Sequence, residues 1–140
     1  MSLSLDTFNV IMFDLNDLKK TNDTVGHRQG DMLLRAFGAI LKSISTDTIS
    51  AYRLGGDEFL VLVEDDTDLS ELVEKIQSLR DEFNLGEEVF KISFAAGCVK
   101  GSEASTTTEL MQMADLRMYE DKAKKKQNRY NGEYGLSTNK

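Results

Sequence analysis

The sequence predicts an α+β fold, a ferredoxin-like or palm-like mainly antiparallel sheet with a β-α-β-β-α-β core plus a terminal helix. Three observations carry this. Short apolar runs of strand length alternate with longer segments whose apolar residues recur at helical spacing. The two central runs flank a glycine pair, Gly55 and Gly56, which suits a tight hairpin turn. No repeat, low-complexity block or composition break divides the 140 residues, so the chain reads as a single domain over 1–140 with its own core.

The first strand is the continuous apolar run Phe8 to Phe13, which ends in Asp14 and suits burial on both faces. From Asp14 to Asp31 the chain is polar and broken by Gly26 and Gly30. Met32, Leu33, Leu34, Phe37, Ile40, Leu41 and Ile44 then share one helical face. Ile49 to Leu54 and Glu58 to Val63 form the hairpin strands. Asp68 with Glu71 reads as a capping box, opening an amphipathic helix through Leu72, Ile76 and Phe83 that Gly86 stops. Phe90, Ile92, Phe94 and Ala96 alternate as a strand ending near Gly97. Thr106 with Glu109 caps a last helix through Leu110, Met113, Ala114 and Met118, expected to fray from Asn128. The helices are expected on one face of the sheet.

Bulk properties narrow the function. With 40% hydrophobic and 29% charged residues the chain has the composition of an ordinary soluble domain. Its net charge of −7 gives no basic footprint for nucleic acid. An anionic substrate would need local positive groups or metal ions. The single cysteine, Cys98, lies in an apolar stretch and reads as a small buried hydrophobe. No apolar run reaches the ~20 residues of a membrane span, and the N-terminus has no signal-peptide pattern, so a cytoplasmic location is expected.

In this plan the end of the first strand and the tip of the hairpin lie side by side. Asp14, Asp57 and Glu58 then converge at one edge. Hard divalent cations take carboxylate oxygens, with substrate phosphates completing the set. Taken alone, the turn fits two readings: such a metal and phosphate site, or a solvated tip whose acids discourage edge pairing. The polar segment after Asp14 suits turns and also base recognition, but its spacing is not that of a calcium loop. His27, the sole histidine, has no nucleophile partner in the sequence. Lys122, Lys124, Lys125 and Lys126 fit a solvated helix end or a phosphate contact.

Gly55-Gly56-Asp57-Glu58-Phe59, preceded by Asp14, Leu18-Lys19, Asn22-Asp23, Gly26-His27 and Gly30-Asp31 and followed by Ala114-Asp115, Tyr119 and Lys122, stands in the order and spacing of a known family. Over about residues 8–128 the chain resembles the GGDEF family of diguanylate cyclases. The resemblance implies that each domain binds one GTP, and that two domains meet so that each 3′-hydroxyl attacks the other's α-phosphate. Cyclic di-GMP forms and pyrophosphate leaves. It assigns Asp14, Asp57 and the Leu15 carbonyl to two Mg²⁺ or Mn²⁺ ions, with Glu58 beside them. Asn22 and Asp31 would read guanine. Lys19, Lys122 and Lys126 would meet phosphates, and Gly55 and Gly56 would let them approach the turn.

Five departures from the family pattern stand out. Asn16 replaces a frequent second aspartate, and Leu18 replaces a phenylalanine. Lys125-Lys126-Gln127 replaces Gly-Arg-Asn, and lysine is the poorer bidentate partner. The inhibitory product motif Arg-x-x-Asp is absent, since Thr46 to Ile49 fills its place, so no product feedback is expected there. The family's opening helix is not found before the first strand. Homodimerisation is expected for catalysis, with sensory or membrane domains in a longer protein. The alternative implied by the departures is a non-catalytic module that binds GTP or a protein partner.

Overall fold

The computed structural model describes residues 5–16, 27–86 and 91–133. Strand β1 (Asn9–Leu15) is buried at every position, as a continuous apolar run in mid-sheet must be. It lies between β3 (Glu58–Val63) and β4 (Phe94–Val99), and β2 (Ile49–Gly55) completes the order β2-β3-β1-β4. All three strand pairings are antiparallel. Helices α1 (His27–Ser43), α2 (Leu69–Leu85) and α3 (Thr107–Glu133) give the chain order β1-α1-β2-β3-α2-β4-α3 that the sequence predicts. Short 3-10 turns occur at Leu5–Thr7 and Gly101–Glu103. No described helix is long and apolar enough to cross a membrane.

Strand alternation sorts the core into two layers. Ile11, Phe13 and Leu15 join Phe59, Val61 and Phe94 against Leu33, Phe37 and Leu41 of α1 and Leu69, Leu72 and Ile76 of α2. Val10, Met12, Ala95 and Val99 join Leu110, Ala114 and Met118 of α3 on the opposite face. Helices therefore cover both faces, not the single face expected. The reason lies in β1, whose apolar side chains on each side both need cover. Beneath the strand ends, Phe13 meets Phe37 at 5.4 Å and Phe94 at 5.2 Å, edge to face, and Phe37 meets Phe59 at 5.1 Å. This cluster fixes α1 against the three strands that carry or flank the acids.

Other differences from expectation have local causes. The helix after the first strand begins at His27 rather than Met32, so Gly30 falls in its first turn, where one glycine costs only about 1 kcal/mol. The fourth strand spans Phe94–Val99, and the expected start at Phe90 lies outside the described residues. Among the described residues, Ile92 is buried but its backbone is taken by the Asn84 side chain, Nδ2 to Ile92 O at 2.9 Å and Ile92 N to Oδ1 at 2.8 Å. Gly97 lies inside β4, not at its end. A Cβ there would sit 2.2 Å from the Ala114 carbonyl, so the glycine marks the close passage of α3. The last helix continues past Asn128 to Glu133. At both predicted capping boxes the N-cap half forms: Glu71 N donates to Asp68 Oδ1 at 3.2 Å and Glu109 N to Thr106 Oγ1 at 3.1 Å, while Glu109 Oε1 accepts from Ser105 N at 2.7 Å rather than from Thr106 N.

Strand β4 is a sheet edge, and α3 seals it. Arg117 Nη1 donates to Cys98 O at 2.8 Å, Ala96 N donates to Asp121 Oδ2 at 2.8 Å, and Lys125 Nζ donates to Phe94 O at 2.7 Å. The three side chains recur every four residues along the helix, matching alternate residues along the strand. Backbone groups that would otherwise template another strand are thus occupied.

Candidate functional site

The site is built where β1 ends. Register pairs Asp14 with Glu58 across β1 and β3, and Asp14 with Ala95 across β1 and β4. One step further, Leu15 N donates to Asp57 O at 2.9 Å, tying the hairpin tip to the end of β1. The sheet thus brings Asp14, Leu15, Asp57 and Glu58 together from two distant parts of the sequence. Asn16 continues from β1 onto the β4 side, with its N donating to Ser93 O at 2.7 Å and its Nδ2 to Ser93 Oγ at 3.1 Å.

The turn needs its glycines. Gly55 has φ 135° and Gly56 φ 55°, a region L side chains rarely adopt. Nothing lies within 4 Å of where a Cβ would stand at either position, so the turn's outer side is open to an approaching group. Arg53 braces it from within the strand, Nε and Nη2 donating to Gly56 O at 3.1 and 2.7 Å.

The positive charge comes from α3, which crosses the face on which Asp14 and Glu58 stand. Lys122 Nζ donates to Asp14 Oδ2 at 2.8 Å. Asp14 is 7% exposed, and its other oxygen, Oδ1, is buried with no hydrogen-bond partner among the described residues. Burial pushes the Asp14 carboxyl above its ordinary value. The Lys122 hydrogen bond pulls it back and the Asp57 charge pushes it up again. Glu58 is also raised, first by burial, then by the charges of Asp115, Asp14 and Asp57, against a downward pull from Lys122. Acids crowded at this density favour a cation among them.

The donor set suits a hard divalent ion. Asp14 Oδ1 is a buried oxygen that lacks a hydrogen-bond partner among the described residues, with Asp57 and Glu58 beside it. Among the described residues no three acids close into a metal cage by themselves. One or two carboxylates, with further oxygens from a phosphate, is the set that Mg²⁺ takes.

The remaining candidates are distributed unevenly. Asp31 is exposed on α1 and does not join the acids. It lines a groove of about 420 Å³ with Leu34, Arg35, Gly38, Arg53 and Phe59. Lys126 is exposed on α3 one turn beyond Lys122. Lys19 and Asn22 lie outside the described residues. Sequence reading missed Asp115, whose charge acts on Glu58. Its signal was available: Asp115 and Lys122 are seven apart on one helix and so share a face. It also left Lys125 without a structural role, although that side chain binds Phe94 O and pairs with Asp121 at 3.1 Å.

Comparison with known proteins agrees with this geometry. The family profile described as "Diguanylate cyclase, GGDEF domain" matches residues 4–128. Diguanylate cyclase DgcS of Shewanella oneidensis is 35% identical over 116 residues, which are 82% of this chain and 39% of that protein. Diguanylate cyclase DgcP of Escherichia coli is 34% identical over 121 residues, 83% of this chain and 36% of that protein. The chain thus spans under two-fifths of the length of these relatives. A sensory box/GGDEF family protein from Caulobacter crescentus superposes with a TM-score of 0.68 at 28% identity, covering 84% of this chain and 79% of that one.

Proposed function

This chain belongs to the diguanylate cyclase GGDEF domain family, and from that premise we propose that it condenses two GTP into cyclic di-GMP and two pyrophosphates across a pair of domains. The observation that carries the proposal is the register that sets Asp14 opposite Glu58 while Leu15 N holds Asp57 O, so that the family's acids meet at an open glycine turn. Each 3′-oxygen forms a bond to the α-phosphorus of the other nucleotide, and the bond from that phosphorus to the β-phosphate bridge breaks.

The chain's residues divide the work. Asp14, Asp57, Glu58 and the Leu15 carbonyl are the groups that would hold two Mg²⁺ or Mn²⁺. Bound there, such ions lower the pKa of the attacking hydroxyl and take up charge at the α-phosphate. Lys122 and Lys126, one turn apart on α3, meet the outgoing phosphates, with Lys19. Asp31 in the α1 groove reads the guanine with Asn22. Gly55 and Gly56 admit the phosphates to the turn backbone. The lone domain supplies half of a reaction centre, so a second copy is needed for turnover. GTP supply places the reaction in the cytoplasm.

The test is a dimer enforced by a fused coiled coil, incubated with GTP and Mg²⁺ or Mn²⁺ and assayed for cyclic di-GMP. Product from the parent and none from a folded Asp57→Ala variant is expected. No product from a folded, dimeric parent refutes the reading. A second reading, a GTP-binding module without turnover, is favoured by Asn16, which stands uncharged where the family often has an aspartate and whose Nδ2 donates to Ser93 Oγ. Calorimetry that finds GTP binding in a dimer that makes no product would select it.

A further inference from the structure

The groove beside the hairpin holds a second charged group next to Asp31. Asp31 and Arg35 stand one turn apart on α1, and both line the cavity of about 420 Å³ that Arg53 of β2 and Phe59 of β3 line from the other side. That volume is within the range of small-ligand clefts. Leu34, Gly38 and Phe59 give it apolar surface, which suits the face of a flat ring. Two arginines outnumber its one aspartate, in a chain of net charge −7. Asp31 and Arg35 do not pair with each other among the described residues, so a carboxylate and a guanidinium face one space. Arg53 also donates from Nε and Nη2 to Gly56 O, so the groove and the glycine turn share a side chain.

We propose that Arg35 is a specificity-determining residue, which reads the O6 and N7 edge of a guanine whose N1–H and N2 amino group donate to Asp31. The inference rests on the guanine-nucleotide reading of this groove and deepens it, and it does not depend on turnover. A carboxylate only accepts, and guanine donates at N1 and N2. A guanidinium only donates, and O6 and N7 are the acceptors on the adjoining edge, the bidentate pair that arginine takes most often. Adenine inverts both contacts. Its N1 accepts where Asp31 also accepts, and its N6 amino group donates where Arg35 also donates. Each mismatch leaves a polar group unpaired, so the two residues reject adenine at two places. Arg53 is the poorer reader, since two of its nitrogens are engaged by Gly56 O. Its place between groove and turn instead sets the base on one side and the phosphates on the other.

The experiment is calorimetry of the chain with Mg²⁺ and the 2′,3′-dideoxy triphosphates of guanine, 7-deazaguanine and hypoxanthine. These lack the attacking hydroxyl and cannot turn over. 7-Deazaguanine has C–H in place of N7, and hypoxanthine lacks the N2 amino group. In the parent, 7-deazaguanine should bind about five- to tenfold more weakly than guanine. Arg35→Met, which keeps the stem and drops the fork, should weaken guanine about tenfold and no longer distinguish it from 7-deazaguanine. It should keep the parent's preference for guanine over hypoxanthine, because Asp31 still meets the N2 amino group. Arg35→Lys, which keeps the charge without the bidentate geometry, should also lose most of the N7 preference. A parent that binds guanine and 7-deazaguanine equally, or binds none of the three, overturns the proposal without any variant having to fold. Equal weakening of all three bases by folded Arg35→Met, with the N7 preference kept, also overturns it, since that is the mark of a phosphate contact. The base pattern in a dimer that makes no cyclic di-GMP refutes the cyclase reading alone. Cyclic di-GMP formation without the base pattern refutes the Arg35 assignment alone.

Discussion

Gly97→Ala should be among the most damaging single-methyl additions in the described fold. An added Cβ would stand 2.2 Å from Ala114 O, 2.4 Å from Met118 N and 3.0 Å from Arg117 C. Non-bonded carbon contacts settle near 3.5 Å, so α3 or β4 must give way by about 1 Å. All three obstacles are backbone, which cannot rotate aside as a side chain can. Overpacking of this kind costs about 1–3 kcal/mol, and backbone obstacles put this site at the upper end. The matched control is Gly38→Ala in α1, where the nearest atom is Phe59 Cε2 at an ordinary 3.9 Å. There the helix interior gains about 0.5–1 kcal/mol from losing the glycine. Urea denaturation of both variants should therefore give shifts of opposite sign. Displacement of α3 should also take Lys122 off Asp14. A Gly97→Ala variant within about 0.5 kcal/mol of the parent would refute the close-passage reasoning.

Other expectations follow from the same geometry. Hydrogen bonds from Arg117 and from the Lys100 backbone hold Glu103 down to about 2. A depressed carboxyl stabilises the fold above its ordinary unfolded value and loses that contribution as pH falls toward 2, so Glu103→Gln should flatten the acid limb of stability against pH. Asp14 and Glu58 have the opposite sign: their raised values make ionisation costly to the fold, so their contribution declines as pH rises through them. Carboxyl ¹³C titration should place both above ordinary values, and an Asp14 midpoint at or below the ordinary one contradicts the geometry. Asp121→Ala should speed exchange of the Ala96 amide about fivefold by removing its acceptor, and unchanged exchange would show that the β4 edge is protected otherwise. In a catalytically active dimer, added cyclic di-GMP should not slow turnover through the Thr46–Ile49 turn, where Thr46 Oγ1 is engaged by Ile49 N at 3.0 Å.

The elements that could be read from sequence were those whose signal is local. β1 declares itself by an unbroken apolar run, the hairpin by Gly55-Gly56, and α2 by its Asp68 cap and apolar period. Misreadings arose where a partner outside the element decided. Asn84 removes Ile92 from the ladder, and α3 turns Gly97 from an apparent terminator into a contact point. Asn84 and Ile92 are near in sequence, but propensity and periodicity carry no signal for a side chain that binds a strand's backbone, and Gly97 and Ala114 lie on different elements.

The same division runs through the site. The sequence led to the expectation that Asp14, Asp57 and Glu58 converge, through the strand plan and the hairpin turn, and the pairing of β1 with β3 sets Asp14 opposite Glu58. It also determined family membership, through motifs in order along the chain. Only the tertiary structure decided that α3 crosses to the second face, that Arg117, Asp121 and Lys125 seal the β4 edge, and that Lys122 rests on Asp14 rather than reaching into solvent. Helix placement depends on the summed burial of two sheet faces, and a salt bridge between residues 108 apart depends on that placement. Neither quantity is written in any single stretch of the chain.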